Sequence, residues 1–369
     1  SFQHLDYNNQ IKKVSGARNE VPNEFNPDWW HRIKISQQNQ LQEKNLGNIA
    51  PLVFTSITDK SYAEEKVIPA DLDIVESLIK ITAIENYFDQ KLCSTLFQLL
   101  IPTDFKTYLS DERNLILIVD KYSARIPWEL LIKPSREEIL PIIYNSGMLR
   151  QLTTSNYKTQ IKYEEGNYAL IIADPDTNGK YQSLDHSYSE AESNMQLLGQ
   201  NDYTITKLIH KKHDEILPEI ISGSYQILHI AAHGIYSEEK TGKTGIIIGQ
   251  NEILTTAVIS QMKQVPQLVF INCCELGKIY AEEEIQLQAK YEVAASLGCH
   301  FINMGAKGVI VAGWEVNDNA SSSFSQEFYQ SFISGNTFGD AVKQARRVCY
   351  DRHPTTNTWG AYQCYGDPY

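Results

Sequence analysis

Two short stretches carry residue types able to do nucleophilic chemistry. Tyr225 to Gly234 reads YQILHIAAHG, and about forty residues on, Gln267 to Gly277 reads QLVFINCCELG. Each is an apolar run that stops at reactive residues: His233-Gly234 in the first, Cys273-Cys274 in the second. A free thiol, with a pKa near ~8.5, is only a few per cent thiolate at pH 7, yet is intrinsically very nucleophilic. An imidazole with a pKa near ~6.5 can take its proton and later protonate a departing amine. On a strand, neighbouring side chains point to opposite faces, so only one of the two cysteines can face a crevice while the other packs as a small hydrophobe. Glu275-Leu276-Gly277 ends the run and leaves the second cysteine at the crevice lip.

These stretches need strands to carry them, and the chain alternates accordingly. Short β-rich runs recur at 114–119 (NLILIV), 168–173 (YALIIA), 203–208 (YTITKLI), 225–231, 245–249 (GIIIG), 267–272 and 308–313 (GVIVAG). Helical patterns lie between several of them. In FGDAVKQARRVCY, Phe338, Ala341, Val342, Ala345, Val348 and Cys349 share one face. That alternation predicts an α/β fold with a mainly parallel sheet covered on both faces. Ligands of such sheets bind beyond the carboxyl ends of the strands, where both reactive stretches terminate.

Residues 1–48, rich in Asn, Gln and charge, read as an irregular polar extension or linker whose large apolar anchors are Trp29 and Trp30. From Ala50 the texture changes. APLVFTSIT predicts a strand, and ADLDIVESLIKI and YFDQKLCSTLFQLLI predict amphipathic helices. Residues 49–165 are read as the lead-in part of the folded region and 166–369 as its core.

Composition narrows the function. Hydrophobic residues are 42% of 369, the net charge is −12, and Lys and Arg are dispersed, so nucleic acid is not expected as a direct partner. The six cysteines show no C-x-x-C pair, which argues a reducing compartment. With no run of ~18 apolar residues and no basic-apolar leader, neither membrane insertion nor export is expected, and a cytoplasmic location is. The chain opens with Ser1 and stops at YGDPY, which raises the expectation that it is cut from a longer polypeptide.

Two other chemistries fail on spacing. His229 and His233 have the separation of zinc ligands on a helix, but four residues of strand span roughly 13 Å, and both ligands of one zinc must lie within ~2.1 Å of it. His229 therefore reads as a hydrogen-bonded core residue, and no metal site is expected. TGKTG at 241–245 lacks the earlier glycine and the following helix of a phosphate loop, and reads as a solvated hairpin.

The order HIAAHG, INCCELG, FINMGAKGVIVAGWEVND, FYQSFISGNTFGDAVKQAR and NTWGAYQCYGDP, preceded by LIIADPD and SEAESNMQLL, closely resembles the CHAT domain, a caspase-like cysteine peptidase domain related to caspases and separase. The resemblance covers roughly residues 70–369. It implies a caspase-like sheet, a catalytic His233, a nucleophilic Cys274 with Cys273 packing, and an oxyanion hole from the backbone N–H groups of Gly234 and Cys274. No metal or organic cofactor is implied. In related peptidases the pocket for the side chain before the scissile bond is built from strand ends, which here brings in Asp174, Asn272, Glu315 and Asp318 and predicts cleavage after a basic residue. Asp318 can also be read as a helix N-cap, and Glu282-Glu283-Glu284 as the solvated start of a helix. Expected partners are a protein substrate and a regulatory sensor or repeat domain, in cis or in trans, acting on the segment from Leu276 to about Gln288. The competing expectation is a catalytically silent caspase-like module that docks partners.

Overall fold

The computed structural model describes residues 30–37, 49–57, 63–84, 88–109, 113–120, 122–134, 140–153, 163, 166–235, 244–273 and 283–369. The strands are β1 His31–Gln37, β2 Ile49–Ile57, β3 Ala63–Asp71, β4 Leu115–Val119, β5 Met148–Leu152, β6 Tyr168–Ala173, β7 Thr204–Ile209, β8 Ile227–Ala231, β9 Gly234–Ile235, β10 Gly245–Ile247, β11 Ile253–Thr255, β12 Leu268–Asn272, β13 Gly308–Ala312 and β14 Tyr362–Gly366. The helices are α1 Leu72–Ile84, α2 Gln90–Leu100, α3 Thr103–Tyr108, α4 Ile142–Asn145, α5 Asp185–Gly199, α6 His213–Ser222, α7 Thr256–Ile259, α8 Glu283–Met304, α9 Asp318–Ile333, α10 Phe338–Arg352 and α11 Thr358–Ala361.

One sheet of eleven strands runs β3-β2-β1-β4-β5-β14-β13-β12-β8-β6-β7, and β9, β10 and β11 form a small separate sheet. Neighbours are parallel except at β3/β2, β2/β1 and β14/β13. The antiparallel β14/β13 pair makes the sheet two parallel blocks pointing opposite ways, so β6, β7, β8, β12 and β13 present their carboxyl ends along one edge. Their residues alternate strictly between two cores. Phe270 and Ile310 face the core shared with α5, α9 and α10, whereas Val269, Ile271 and Val309 face the core shared with α6, α8 and the small sheet. A strand buried on both faces reads as a continuous apolar run, which is why these were visible in the sequence.

The N-terminal extension is not wholly irregular. His31–Gln37 forms β1 inside the sheet, antiparallel to β2 and parallel to β4. Its buried His31, Ile33 and Ile35 alternate with the less buried Arg32 and Lys34, a signal only a few residues long and flanked by polar sequence. Trp30 is buried against Gly147 and Gly339 and anchors this strand, while Trp29 lies outside the described residues. Most of the 241–245 stretch also lies outside them; its last residue, Gly245, begins β10.

Candidate active site

Register brings the first reactive stretch beside the second. Ala231 of β8 lies between Ala173 of β6 and Asn272 of β12, and beyond the ladder the Ala232 N–H donates to the Asn272 carbonyl at 3.1 Å. The chain then turns at His233, whose own carbonyl accepts from Ile247 N–H at 2.8 Å and so ties it to the small sheet, where buried Gly234 opens β9.

His233 is buried, with its ring centroid 5.7 Å from that of Tyr181. Its Nε2 lies 2.7 Å from the Gln182 carbonyl oxygen. A carbonyl can only accept, so Nε2 carries the hydrogen, and in the neutral ring Nδ1 is left as the basic nitrogen. Gln182 was not foreseen: a backbone carbonyl leaves no mark on residue type.

Cys273 is buried and faces the second core with Val269 and Ile271, on the opposite face from Asn272. Cys274 lies outside the described residues. The other described thiols are poor candidates. Burial pushes Cys93 and Cys364 up to about 12 and Cys299 up to about 11, and drives Cys349 upward as well.

The four predicted pocket residues have different surroundings. The Asn272 amide is turned inward, donating to Glu190 at 3.0 Å and to Ser321 Oγ at 2.8 Å. Ser321 also receives the Tyr362 hydroxyl at 2.8 Å and donates to Glu190 at 2.9 Å. Asp174, one residue past β6, sits at φ 44°, with its Oδ2 accepting from Ser183 Oγ at 2.7 Å and facing His210 Nδ1 at 3.0 Å. Such a left-handed conformation favours glycine, though aspartate tolerates it better than most residues. Glu315 is exposed just beyond β13. Asp318 is exposed on the first turn of α9, 3.4 Å from His186 Nε2, and the helix is capped instead by Asn317, whose Oδ1 accepts from Ala320 N–H. Asp318 and Glu315 are thus exposed at this edge, while Asn272 and Asp174 brace the strand ends. Residues 283 onward form α8, and the rest of the expected Leu276–Gln288 loop lies outside the described residues.

Glu190 was also missed. Fully buried on α5, it bonds through Oε2, and burial raises its carboxyl above the usual range despite hydrogen bonds from Ser321, Ser325 and Asn272 that oppose the shift. Its Oε1 lies 3.7 Å from Nε2 of His229. His229 Nδ1 pairs with the Tyr329 hydroxyl at 3.1 Å, its ring stacks on Phe270, and burial lowers its pKa to about 3. The core-histidine expectation for His229 matches this environment.

A mainly parallel sheet flanked by helices, with a histidine at its carboxyl edge, defines an α/β protein with a candidate site beyond its strand ends. The chain belongs to the CHAT family: the CHAT domain matches residues 90–367. Among solved structures, a chain of the Saccharomyces cerevisiae separase–securin complex is 17% identical at a TM-score of 0.41, covering 69% of this chain but only 15% of that one. The Arg-specific cysteine proteinase gingipain R is 12% identical at 0.44, covering 80% and 74%. The Drosophila initiator caspase Dronc is 10% identical at 0.33, covering 57% and 82%. The chain therefore spans about 15% of the length of the separase-complex chain it resembles. Comparison with curated proteins finds no match. Among the described residues no helix is long and apolar enough to cross a membrane.

Proposed function

We propose that the chain is a cysteine endopeptidase in which His233 is the general base and Cys274 the nucleophile. The observation that carries this reading is the 2.7 Å bond from His233 Nε2 to the Gln182 carbonyl, because it leaves Nδ1 as the base at the sheet edge where β12 ends. Cys274 follows Cys273 covalently, so its Cα is ~3.8 Å from that of Cys273, and adjacent strands are ~4.8 Å apart. That adjacency in sequence supports pairing the Cys274 thiol with the ring in this reading.

In this reading Nδ1 takes the thiol proton and Sγ attacks the scissile carbonyl. The N–H groups of Gly234 and Cys274 receive the developing oxyanion. The imidazolium then protonates the leaving amine, and water, activated by the same nitrogen, hydrolyses the acyl-enzyme. Throughout, the Gln182 carbonyl holds the tautomer and supports the imidazolium, the part a carboxylate plays in a triad.

Specificity for a basic residue before the scissile bond is assigned to the exposed acids Glu315 and Asp318, which can pair with a guanidinium arriving from solvent. The protein substrate is met in the cytoplasm, and a sensor or repeat domain in cis or in trans regulates access by ordering the segment after Cys274. The test is labelling with a peptidyl acyloxymethyl ketone ending in arginine, followed by peptide mapping. An adduct on Cys274, lost in His233→Ala and Cys274→Ala, supports the reading. No adduct from the full-length protein with its regulator would replace it with a docking module.

A further inference from the structure

The bond that orients His233 comes from a segment with no regular structure, residues 174–184 between β6 and α5, and something must hold the Gln182 carbonyl still. Inside the segment, Lys180 N–H bonds the Thr177 carbonyl at 3.1 Å and Tyr181 N–H the Thr177 Oγ1 at 3.2 Å, and Asp176 N–H reaches the Lys211 carbonyl at 2.9 Å. These fix the middle of the loop. At its end, the residue directly after Gln182 is Ser183, and its hydroxyl donates at 2.7 Å to the buried carboxylate of Asp174.

Asp174 is itself held at its backbone and at its carboxylate. Its N–H bonds the Ala231 carbonyl at 2.9 Å, two residues before His233; its Oδ2 faces His210 Nδ1 at 3.0 Å; and the His210 ring is stacked on Tyr188 of α5. The result is a closed circuit: Ala231 at the end of β8 anchors Asp174 and leads two residues on to His233, Asp174 holds Ser183, and the neighbouring carbonyl returns to His233. We propose that Asp174, acting through Ser183, is a positioning residue that fixes the Gln182 carbonyl and thereby the Nε2–H tautomer and orientation of His233. The inference rests on His233 being the general base. It gives Asp174 a role other than substrate recognition, since its Oδ2 is already engaged by Ser183 and His210. A drift of the carbonyl would let the ring turn or its proton move to Nδ1, which removes the base without removing the histidine. Misplacement of about 1 Å can cost roughly a hundredfold in rate.

The experiment uses Ser183→Ala, Asp174→Asn and His233→Ala in the full chain with its regulator. It reads kcat and KM on an arginine-ended peptide, thermal stability, and the 15N resonances of the His233 ring in a Cys274→Ala background, where turnover is not needed. Ser183→Ala is expected to lower kcat about tenfold to a hundredfold with KM nearly unchanged, to unfold near the wild-type temperature, and to shift the ring from a single Nε2–H form to a mixture. Asp174→Asn, which can still accept from Ser183, should fall between it and the wild type. A wild-type kcat and an unchanged ring spectrum in Ser183→Ala would overturn the proposal alone. An Asp174→Asn protein with raised KM and intact kcat would return Asp174 to the substrate pocket. Undiminished turnover by His233→Ala would remove the general-base reading and this proposal with it.

Discussion

His229 makes the pH dependence of stability calculable. Buried beneath α9 and stacked on Phe270, it is held neutral, with its pKa lowered by desolvation from 6.5 to about 3. In the unfolded chain it returns to about 6.5. Between those values the unfolded state binds the extra proton, so stability is complete above pH 6.5 and is lost as pH falls towards 3. At pH 5 the loss is about 1.5 pK units at 1.36 kcal/mol each, or about 2 kcal/mol. Glu190 acts in the opposite direction. Its raised carboxyl adds stability at low pH that is lost as pH rises through its folded pKa. Comparing one protein at two pH values would mix the two, so the perturbation is His229→Gln, which keeps Glu190 and removes the imidazole. Urea unfolding at pH 7.5 and pH 5.0, followed by tryptophan fluorescence and by circular dichroism to check two-state behaviour, should show the wild type losing about 2 kcal/mol more than the variant across that interval. Parallel losses in the two proteins would mean that His229 titrates alike folded and unfolded, and would refute the argument from burial.

Cys273→Ala should retain turnover and lose roughly 1 kcal/mol of stability from its packed site, whereas Cys274→Ala should lose turnover; the reverse pattern, seen in peptide assays beside thermal melts, would exchange the assignments. Asp318→Asn should raise KM for arginine-ended peptides about two- to fivefold, a small effect because the carboxylate is half exposed and screened, and more than Glu283→Gln does; efficient cleavage only after aspartate would exclude a basic preference. Glu129→Ala should cost about 3–5 kcal/mol in urea unfolding, because it strands the Arg150 guanidinium that Glu129 pairs at 2.8 Å and 2.5 Å in full burial.

The sequence was legible where one physical rule governed a stretch. β6, β8, β12 and β13 are apolar on both faces because helices cover both, and α10 repeats its buried residues at helical spacing. β5 and β14 were missed because they carry charge and amide into the core. Arg150 is buried in MLRQL and Gln363 in YQCYG, and each breaks the apolar run that marks a covered strand. Arg150 is tolerated only because Glu129 and the carbonyls of Ala124 and Ile126, all distant in sequence, take its hydrogens. Arg346 on the buried face of α10 is a similar case, donating to the carbonyls of Met148 and Tyr362. At the site, His233 stood out because a histidine and glycine interrupt an apolar run. Gln182 acts through its backbone and Glu190 through burial, and neither property is written in residue type.

Those hidden polar residues also explain why so large a sheet can hold a strand end in place. β14 joins two blocks of opposite direction, pairing antiparallel with β13 and parallel with β5. Arg346 braces this junction by reaching the carbonyls of Tyr362 on β14 and Met148 on β5. From the same tyrosine the hydroxyl turns the other way, to Ser321 on α9, which meets Glu190 on α5 and the amide of Asn272. An unbroken line of hydrogen bonds therefore runs from the junction to the last residue of β12, crossing two helices. Because each member is buried, losing one leaves a polar partner unpaired away from water, a penalty larger than the net value of the bond itself. The end of β12 is thus held by polar contacts that are costly to break, while its apolar residues supply the burial, and the two cysteines follow directly from that fixed point.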